Sequence, residues 1–232
     1  MTTSGVTTFN PDLTEIVEEA FERCGGELRT GYDLHTARRS LNLMFTDWAN
    51  RGVNMWTMEQ GQQILTAGTA TYNLPADTVD LLDHVIRTGA GSVSTQADLT
   101  ITRISEPTYA TIPNKLTQAR PIQIWIERLN TPRFTVWPVP DNTQTYTLVY
   151  WRLRRIQDAG NGVNTMDMPF RFYNAMVAGL AYYMGMKVPG AIDRLQTLKQ
   201  QYDEAWELAA GEDREKAAVR LVPRRMFIGS GV

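Results

Sequence analysis

Apolar side chains recur at steps of three and four residues between Asp33 and Asn50, which is the period of one face of an α-helix. Polar residues fill the positions between them, and Gly52 follows at a place that suits the end of a helix. We therefore predict a helix over 33–50 with one buried face. The apolar positions on that face are Leu34, Ala37, Leu41, Met44, Phe45 and Trp48.

A second helix is predicted before this one. Asn10 has the side chain of an N-cap, Pro11 suits the first helical position, and Gly25-Gly26 would end the helix. Glutamates occupy the opposite face, so this helix is amphipathic as well. Its apolar face is formed by Leu13, Ile16, Val17, Ala20, Phe21 and Cys24.

Residues 169–211 show the same helical period twice. Pro169 opens the section, Pro189-Gly190 separates two helices, and Gly211 is predicted to end the second one. The most apolar run, 172–186, is too short to span a bilayer and indicates a buried helix, so no membrane contact is expected. Both ends of the chain should therefore pack together. The two stripes consist of Tyr173, Met176, Val177, Leu180, Ala181 and Met184, and of Leu195, Leu198, Tyr202, Ala205 and Ala209.

The middle of the chain changes to a period of two, which is typical of β-strands. Residues 121–138 predict a hairpin, and Glu106–Ile112 predicts one helical turn. The predicted strands are 56–66, 69–74, 79–87, 98–104, 121–128, 133–138 and 145–156.

The expected fold class is α+β, with an α-helical bundle built from the N- and C-terminal helices, an inserted antiparallel β domain and an extended C-terminal tail. We assign residues 10–52 and 157–211 to the helical bundle, 53–156 to the β-rich insertion and 212–232 to the tail.

Composition excludes several classes of protein. Hydrophobic residues make up 43% and charged residues 21%, which is typical of a globular chain, and the net charge of -2 gives no overall basic field for nucleic acid. The single cysteine, Cys24, cannot form an internal disulfide. The opening MTTSGVTTF has neither the basic nor the apolar region of a signal peptide, so no export signal is expected.

No catalytic or metal-binding pattern is evident. The two histidines, His35 and His84, have no second ligand at metal-binding spacing, and each is interpreted as a surface or capping residue. Cys24 continues an apolar stripe and is interpreted as a buried structural residue. Asp77, Asp80 and Asp83 lack the spacing of a calcium loop and indicate a solvated strand edge or turn. Gly89-Ala90-Gly91 is interpreted as a turn rather than a phosphate loop. We therefore expect neither enzymatic activity nor a cofactor.

Aromatic residues are concentrated in the last predicted strands. Such residues could stack on bases or sugars, but more often they form a sheet core or a protein interface. Arg152 and Arg154 follow them on one face of a strand, where a subunit interface or a solvated face is favoured over a nucleic-acid contact. The candidate interface aromatics are Trp125, Trp137, Tyr150 and Trp151.

The C-terminal segment is locally basic and ends in apolar residues that cannot form a core alone. It is expected to be either disordered or docked on a partner, through ion pairs from its arginines and an apolar groove that accepts its last side chains. The candidate docking residues are Arg214, Lys216, Arg220, Arg224, Arg225, Met226, Phe227 and Ile228.

Three segments resemble the head-to-tail adaptor proteins of short-tailed phages, the tail accessory factor family. They are ATYNLPADTVDLLDHVI at 70–86, ITRISEPTYATI at 101–112 and RFTVWPVPDNTQTYTLVYWRLRR at 133–155. The order of elements is similar too, and the likeness covers most of residues 10–210.

The resemblance implies a structural virion protein that assembles in the host cytoplasm and joins the phage neck. It implies a ring of about twelve copies attached to the portal protein, with the C-terminal tail reaching the portal. A downstream nozzle or tube protein of the tail would follow, and phage DNA would pass through the channel without sequence readout. Peptidoglycan hydrolysis has been credited to some members, but no positioned pair of acidic residues supports it in this sequence.

Two other functions remain open from the residues alone. One is a β-rich module that binds a glycan or single-stranded nucleic acid on Trp125, Trp137 and Trp151. The other is a cell-wall hydrolase that uses Asp or Glu, with residues 77–83 as the candidate region.

Overall fold

The computed structural model describes residues 3–26, 31–52 and 55–214. The chain is α+β, as the sequence predicts, with five α-helices and eight β-strands in that part. The helices are α1 (Leu13–Cys24), α2 (Gly31–Asn50), α3 (Glu106–Ala110), α4 (Tyr173–Gly185) and α5 (Leu195–Glu212). The strands are β1 (Met58–Leu65), β2 (Thr71–Asn73), β3 (Thr78–Thr88), β4 (Ala97–Thr100), β5 (Thr102–Ile104), β6 (Gln123–Glu127), β7 (Arg133–Trp137) and β8 (Tyr146–Arg154).

Helix α1 begins two residues later than the sequence suggests. Asp12, not Asn10, is the N-cap: its carboxylate accepts from the backbone N–H of Glu15 at 2.9 Å, and the Glu15 carboxylate accepts from the backbone N–H of Asp12 at 3.0 Å. This reciprocal pair satisfies two N–H groups that the first turn leaves free, so it outweighs the preference of Pro11 for a first helical position. Gly25 ends the helix in the left-handed conformation, as predicted.

The four long helices share one core. Helix α4 is buried along most of its length and packs against α1, α2 and α5, so the two ends of the chain meet as predicted. Trp48 of α2 is fully buried, and its ring packs against those of Phe45, Phe172 and Trp206. Its indole N–H donates to the hydroxyl of Tyr202 at 2.8 Å. Trp48 therefore joins three segments that are distant in sequence.

Helix α5 continues through Gly211 and ends at Glu212, with Asp213 as the C-cap, so the predicted stop at Gly211 is wrong. Glycine lowers helix stability by about 1 kcal/mol relative to alanine, which the packing of α5 against α4 can offset. Within residues 3–26, 31–52 and 55–214, no helix combines the length and the hydropathy of a bilayer-spanning segment.

Two four-stranded sheets form the β part, in the orders β1-β8-β3-β4 and β2-β7-β6-β5. Strands β6 and β7 pair antiparallel, which confirms the predicted hairpin. The predicted strand 98–104 is wrong, because it divides near Ile101: β4 joins the first sheet, whereas β5 joins the second and pairs parallel to β6. Predicted strand 69–74 is reduced to β2, and the first two residues of predicted strand 56–66 belong to a 3-10 turn, Met55–Thr57.

A second core lies between the two sheets and is separate from the helical one. Phe134 and Leu148 are fully buried in it. Tyr150 lies opposite Gly61 of β1, and a β-carbon at Gly61 would lie 2.5 Å from the Tyr150 ring. Glycine is therefore required here to let the ring lie over the neighbouring strand.

Candidate assembly surfaces

A network of charged side chains lies where the β-sandwich meets the helical part. Arg152 and Arg154 of β8 point to the same face of the first sheet, and both contact the carboxylate of Glu59, at 2.9 and 2.6 Å. Arg152 also bonds Asp77 at 2.5 Å. Arg154 makes two bonds to Asp167, at 2.5 and 2.9 Å, so it ties the sandwich to the segment that leads into α4.

These arginines are not solvated. Their side chains are only 12% and 11% exposed, so the interpretation as a solvated face is wrong. The physical reason is the position of three carboxylates around them, which a sequence pattern cannot show because Glu59 and Asp77 are distant along the chain. Their guanidinium groups are engaged inside the molecule, which argues against a phosphate contact at Arg152 or Arg154.

The ion pair at Asp77 predicts a dependence of stability on pH. Hydrogen bonding to Arg152, opposed by partial burial, lowers the pKa of the Asp77 carboxyl. Its contribution is therefore present above the unfolded-state pKa and is lost as the pH falls through the lower folded-state pKa. Asp77→Asn should lower the free energy of unfolding by about 1 kcal/mol at pH 7. The difference from wild type should shrink as the pH falls below about 4.

Urea denaturation of both proteins between pH 3 and 7 measures this difference. Asp83→Asn is the matched control, because Asp83 is exposed on the same strand region and forms none of the described ion pairs. A difference for Asp77→Asn that stays constant down to pH 3 would contradict the role of its charge.

The structure brings two of the four candidate interface aromatics together. Trp125 pairs with Thr135, and Trp137 pairs with Gln123, so both tryptophans lie on the outer face of the second sheet. Helix α3 and the loop after it cover this face. The Tyr109 ring stacks on Trp125 with ring centroids 5.0 Å apart, and the Trp137 indole N–H donates to the carbonyl of Asn114 at 3.1 Å. Both rings are half-buried and already have partners within the chain.

The other two aromatics lie elsewhere. Tyr150 is 5% exposed and lies in the core between the sheets, whereas Trp151 points to the outer face of the first sheet. The four side chains therefore do not form one stacking platform. Among them, Trp151 alone is exposed, at 38%.

Trp151 shares the outer face of the first sheet with other exposed apolar residues that the sequence patterns did not single out. On β1, Met58 and Ile64 point to the same outer face and are 41% and 64% exposed. Their alternation with Glu59 and Gln63 is a strand signal, but a strand with polar residues on both faces does not reveal which side faces the core. The exposed edge and face of β1 are thus candidates for contact with another chain.

The described chain ends where the predicted tail begins. The Asp213 carboxylate accepts from the backbone N–H of Met55 at 3.3 Å and from the guanidinium of Arg171, so the end of α5 is fixed beside the start of the sandwich. Arg214 lies just after these contacts. The remaining candidate docking residues, Lys216, Arg220, Arg224, Arg225, Met226, Phe227 and Ile228, lie outside the described residues.

The residues considered for catalysis do not assemble. Cys24 is 2% exposed, and burial raises the pKa of its thiol, as expected of a structural cysteine. His84 is half-buried on the core face of β3, not a surface residue as predicted, and burial lowers its pKa. Asp80 pairs with Arg103 at 3.0 Å instead of lying free. In residues 3–26, 31–52 and 55–214, no group of three or more His, Cys, Asp or Glu could hold a metal ion.

Comparison with known proteins gives one family. The sequence model described as SU10 adaptor protein matches residues 12–224, which include both cores and extend into the C-terminal segment. No curated protein matches the chain significantly.

Proposed function

Because the chain belongs to the SU10 adaptor protein family, a family of phage structural adaptors, we propose that it is the head-to-tail adaptor of a virion. In this role it connects the portal protein to the tail and extends the channel for DNA. The observation that carries the proposal is the extent of the family match, which covers the helical core, the β-sandwich and the beginning of the C-terminal segment.

The proposed assembly is a ring of about twelve copies on the portal. DNA passes through the ring without sequence readout, and a downstream nozzle or tube protein binds on the side away from the portal. The role is structural and needs no cofactor. The ion-pair network supports it, because a connector must hold its parts in a fixed arrangement and Arg154 links the sandwich to residues before α4.

We assign the parts of the ring to segments of the chain. Residues 10–52 and 157–211 form the packed wall, 53–156 form the projecting β region, and 212–232 form the tail that reaches the portal. Two separate apolar cores support the first two assignments. The tail assignment is supported by its sequence, since Arg224 and Arg225 can pair with carboxylates while Met226, Phe227 and Ile228 fill an apolar groove.

Light scattering after size exclusion tests the assembly directly. The protein is measured alone and after mixing with the portal ring from the same genome. Binding of many copies to one portal ring supports the adaptor function. A protein that stays monomeric and does not bind the portal contradicts it.

Removal of residues 215–232 should strongly weaken portal binding while the protein stays folded. The cut leaves Asp213 in place, so its contacts with Met55 and Arg171 are retained. The thermal transition should therefore be almost unchanged, whereas binding to immobilised portal should fall by about a hundredfold or more.

Two double variants test the basic part and the apolar part of the tail independently. Arg224→Glu with Arg225→Glu removes the ion pairs, and Met226→Ser with Phe227→Ser removes the apolar contact. The matched control is Arg194→Glu, an exposed charge reversal on the folded part of the chain.

Unchanged affinity in the protein truncated after residue 214 would refute the docking role of the tail.

A further inference from the structure

Strand β1 is an unusual edge. It is the outermost strand of the first sheet and runs for eight residues, Met58–Leu65, whereas the other edge strands of the described sheets, β2, β4 and β5, have three or four residues. Every second residue of an edge strand directs its N–H and C=O groups away from the sheet. Proteins usually protect such edges with proline, charge or a short strand. The outer side chains of β1, Met58, Gln60, Gln62 and Ile64, are uncharged, and the one charge on the strand, Glu59, points to the other face, where it is bonded to Arg152 and Arg154.

The N-terminal arm, residues 3–10, has the opposite property: it lies outside any helix or strand, and Gly5 within it has a φ of +65°. All eight residues are exposed, including Val6 at 65% and Phe9 at 79%. In the structure, no backbone–backbone hydrogen bond joins these residues to the other described residues. Its sequence, TSGVTTFN, is rich in β-branched residues, which favour strands.

The base of the arm is held in place. Phe9 packs edge-on against the ring of Tyr173 with centroids 6.4 Å apart, and the Tyr173 hydroxyl donates to the side-chain oxygen of Asn10 at 2.5 Å. The arm therefore leaves the helical part from a fixed point, which reduces the entropy that is lost when its outer residues become ordered on a partner.

We propose that residues 3–9 of one copy add as a strand to the open edge of β1 in a second copy. The inference rests on the proposed function, because a ring places identical chains side by side. It also names a contact between the copies. Each copy has one arm and one open edge, so the contact is head-to-tail and can repeat around a closed ring.

The chemistry of the two segments is compatible. Residues 3–9 have no charged side chain, and the outer residues of β1 are uncharged too, so pairing places no charges opposite each other. At about 3.3 Å per residue, seven residues span about 23 Å, close to the length of an eight-residue strand. Within one chain, the edge of β1 is open, yet the arm of that same chain does not pair with it. This favours a second copy as the occupant.

Cross-linking between single-cysteine variants tests the exchange. One protein carries Thr7→Cys and the other carries Gln60→Cys or Gln62→Cys, and the two are mixed with the portal ring under mild oxidation. The two variants carry affinity tags of different size. The expected product is a disulfide-linked pair that contains one chain of each size. Wild type is the background control, because its single cysteine, Cys24, is 2% exposed. A third variant carries both cysteines in one chain. If this variant forms only an internal disulfide and the mixed single-cysteine variants give no linked pair of chains, the proposal is overturned.

Proline in the arm supplies a second measurement. Val6→Pro with Thr8→Pro removes two backbone donors from an exposed segment, so folding should be unaffected and the cross-link yield should fall about tenfold or more. Val6→Ile with Thr8→Val is the matched control, because it keeps the backbone donors and the strand preference. Equal yields from both pairs of variants would overturn the proposal.

Portal binding is measured on the same samples, which separates the two hypotheses. Normal portal binding without cross-linking overturns arm exchange and leaves the adaptor function intact. Efficient cross-linking in a protein that does not bind the portal contradicts the adaptor function and leaves the exchange intact.

Discussion

Trp48→Ala should lower the free energy of unfolding by about 3–5 kcal/mol. The side chain is fully buried and contacts the rings of Phe45, Phe172 and Trp206, so its removal leaves a large cavity between α2, α4 and α5. The hydroxyl of Tyr202 would also lose its hydrogen bond from the indole. Urea or guanidinium denaturation followed by far-ultraviolet circular dichroism measures the change.

A second variant separates packing from hydrogen bonding at this position. Trp48→Phe keeps an aromatic ring but removes the N–H donor, and we expect a loss of about 2 kcal/mol. The surface control is Leu43→Ala on the same helix, since Leu43 is 59% exposed. A loss below about 1 kcal/mol for Trp48→Ala would mean that the helical core does not depend on this residue.

Arg154→Ala should cost about 3 kcal/mol, because it leaves the carboxylate of Asp167 without its cation, whereas Glu59 keeps its ion pair with Arg152. The Asp167 side chain is only 19% exposed, so water restores little of the lost interaction. Adjacent Arg155 is exposed, and Arg155→Ala should change stability by less than about 0.5 kcal/mol.

A double-mutant cycle assigns the effect to the pair. Arg154→Ala, Asp167→Asn and the combined variant are compared by denaturation, and a coupling of about 1 kcal/mol or more is expected for contacting charges. Additive losses would show that Arg154 acts through packing of its side chain instead of its charge.

The helical part of the fold could be predicted from the sequence, because the apolar residues of each helix recur with a clear helical period over a short stretch of chain. Leu41, Met44 and Trp48 are all fully buried, as their spacing predicts. Helix ends were harder to predict. The sequence offers a helix start at Asn10-Pro11 as well as at Asp12, and only the side-chain geometry of the capping box selects Asp12. Glycine at 211 was misleading for a similar reason, because packing outweighs its weak local preference.

The β-sandwich could be predicted only in part from the sequence. Alternation at Ile124 and Ile126 reveals a strand, but it does not show which strands pair or that 98–104 divides between two sheets. The aromatic cluster illustrates the same gap: four residues close in sequence are placed on the outer face of one sheet, in the core, and on the outer face of the other. Only the partner strands determine which ring meets solvent.

The β-sandwich begins and ends at neighbouring points. Met58, the first residue of β1, lies directly opposite Leu153, the penultimate residue of β8, because these two strands pair antiparallel along their length. A segment whose two ends are adjacent can be exchanged between homologous scaffolds without moving either flanking helix. Chimeras joined at these two positions could therefore combine the helical part of one phage with the β part of another.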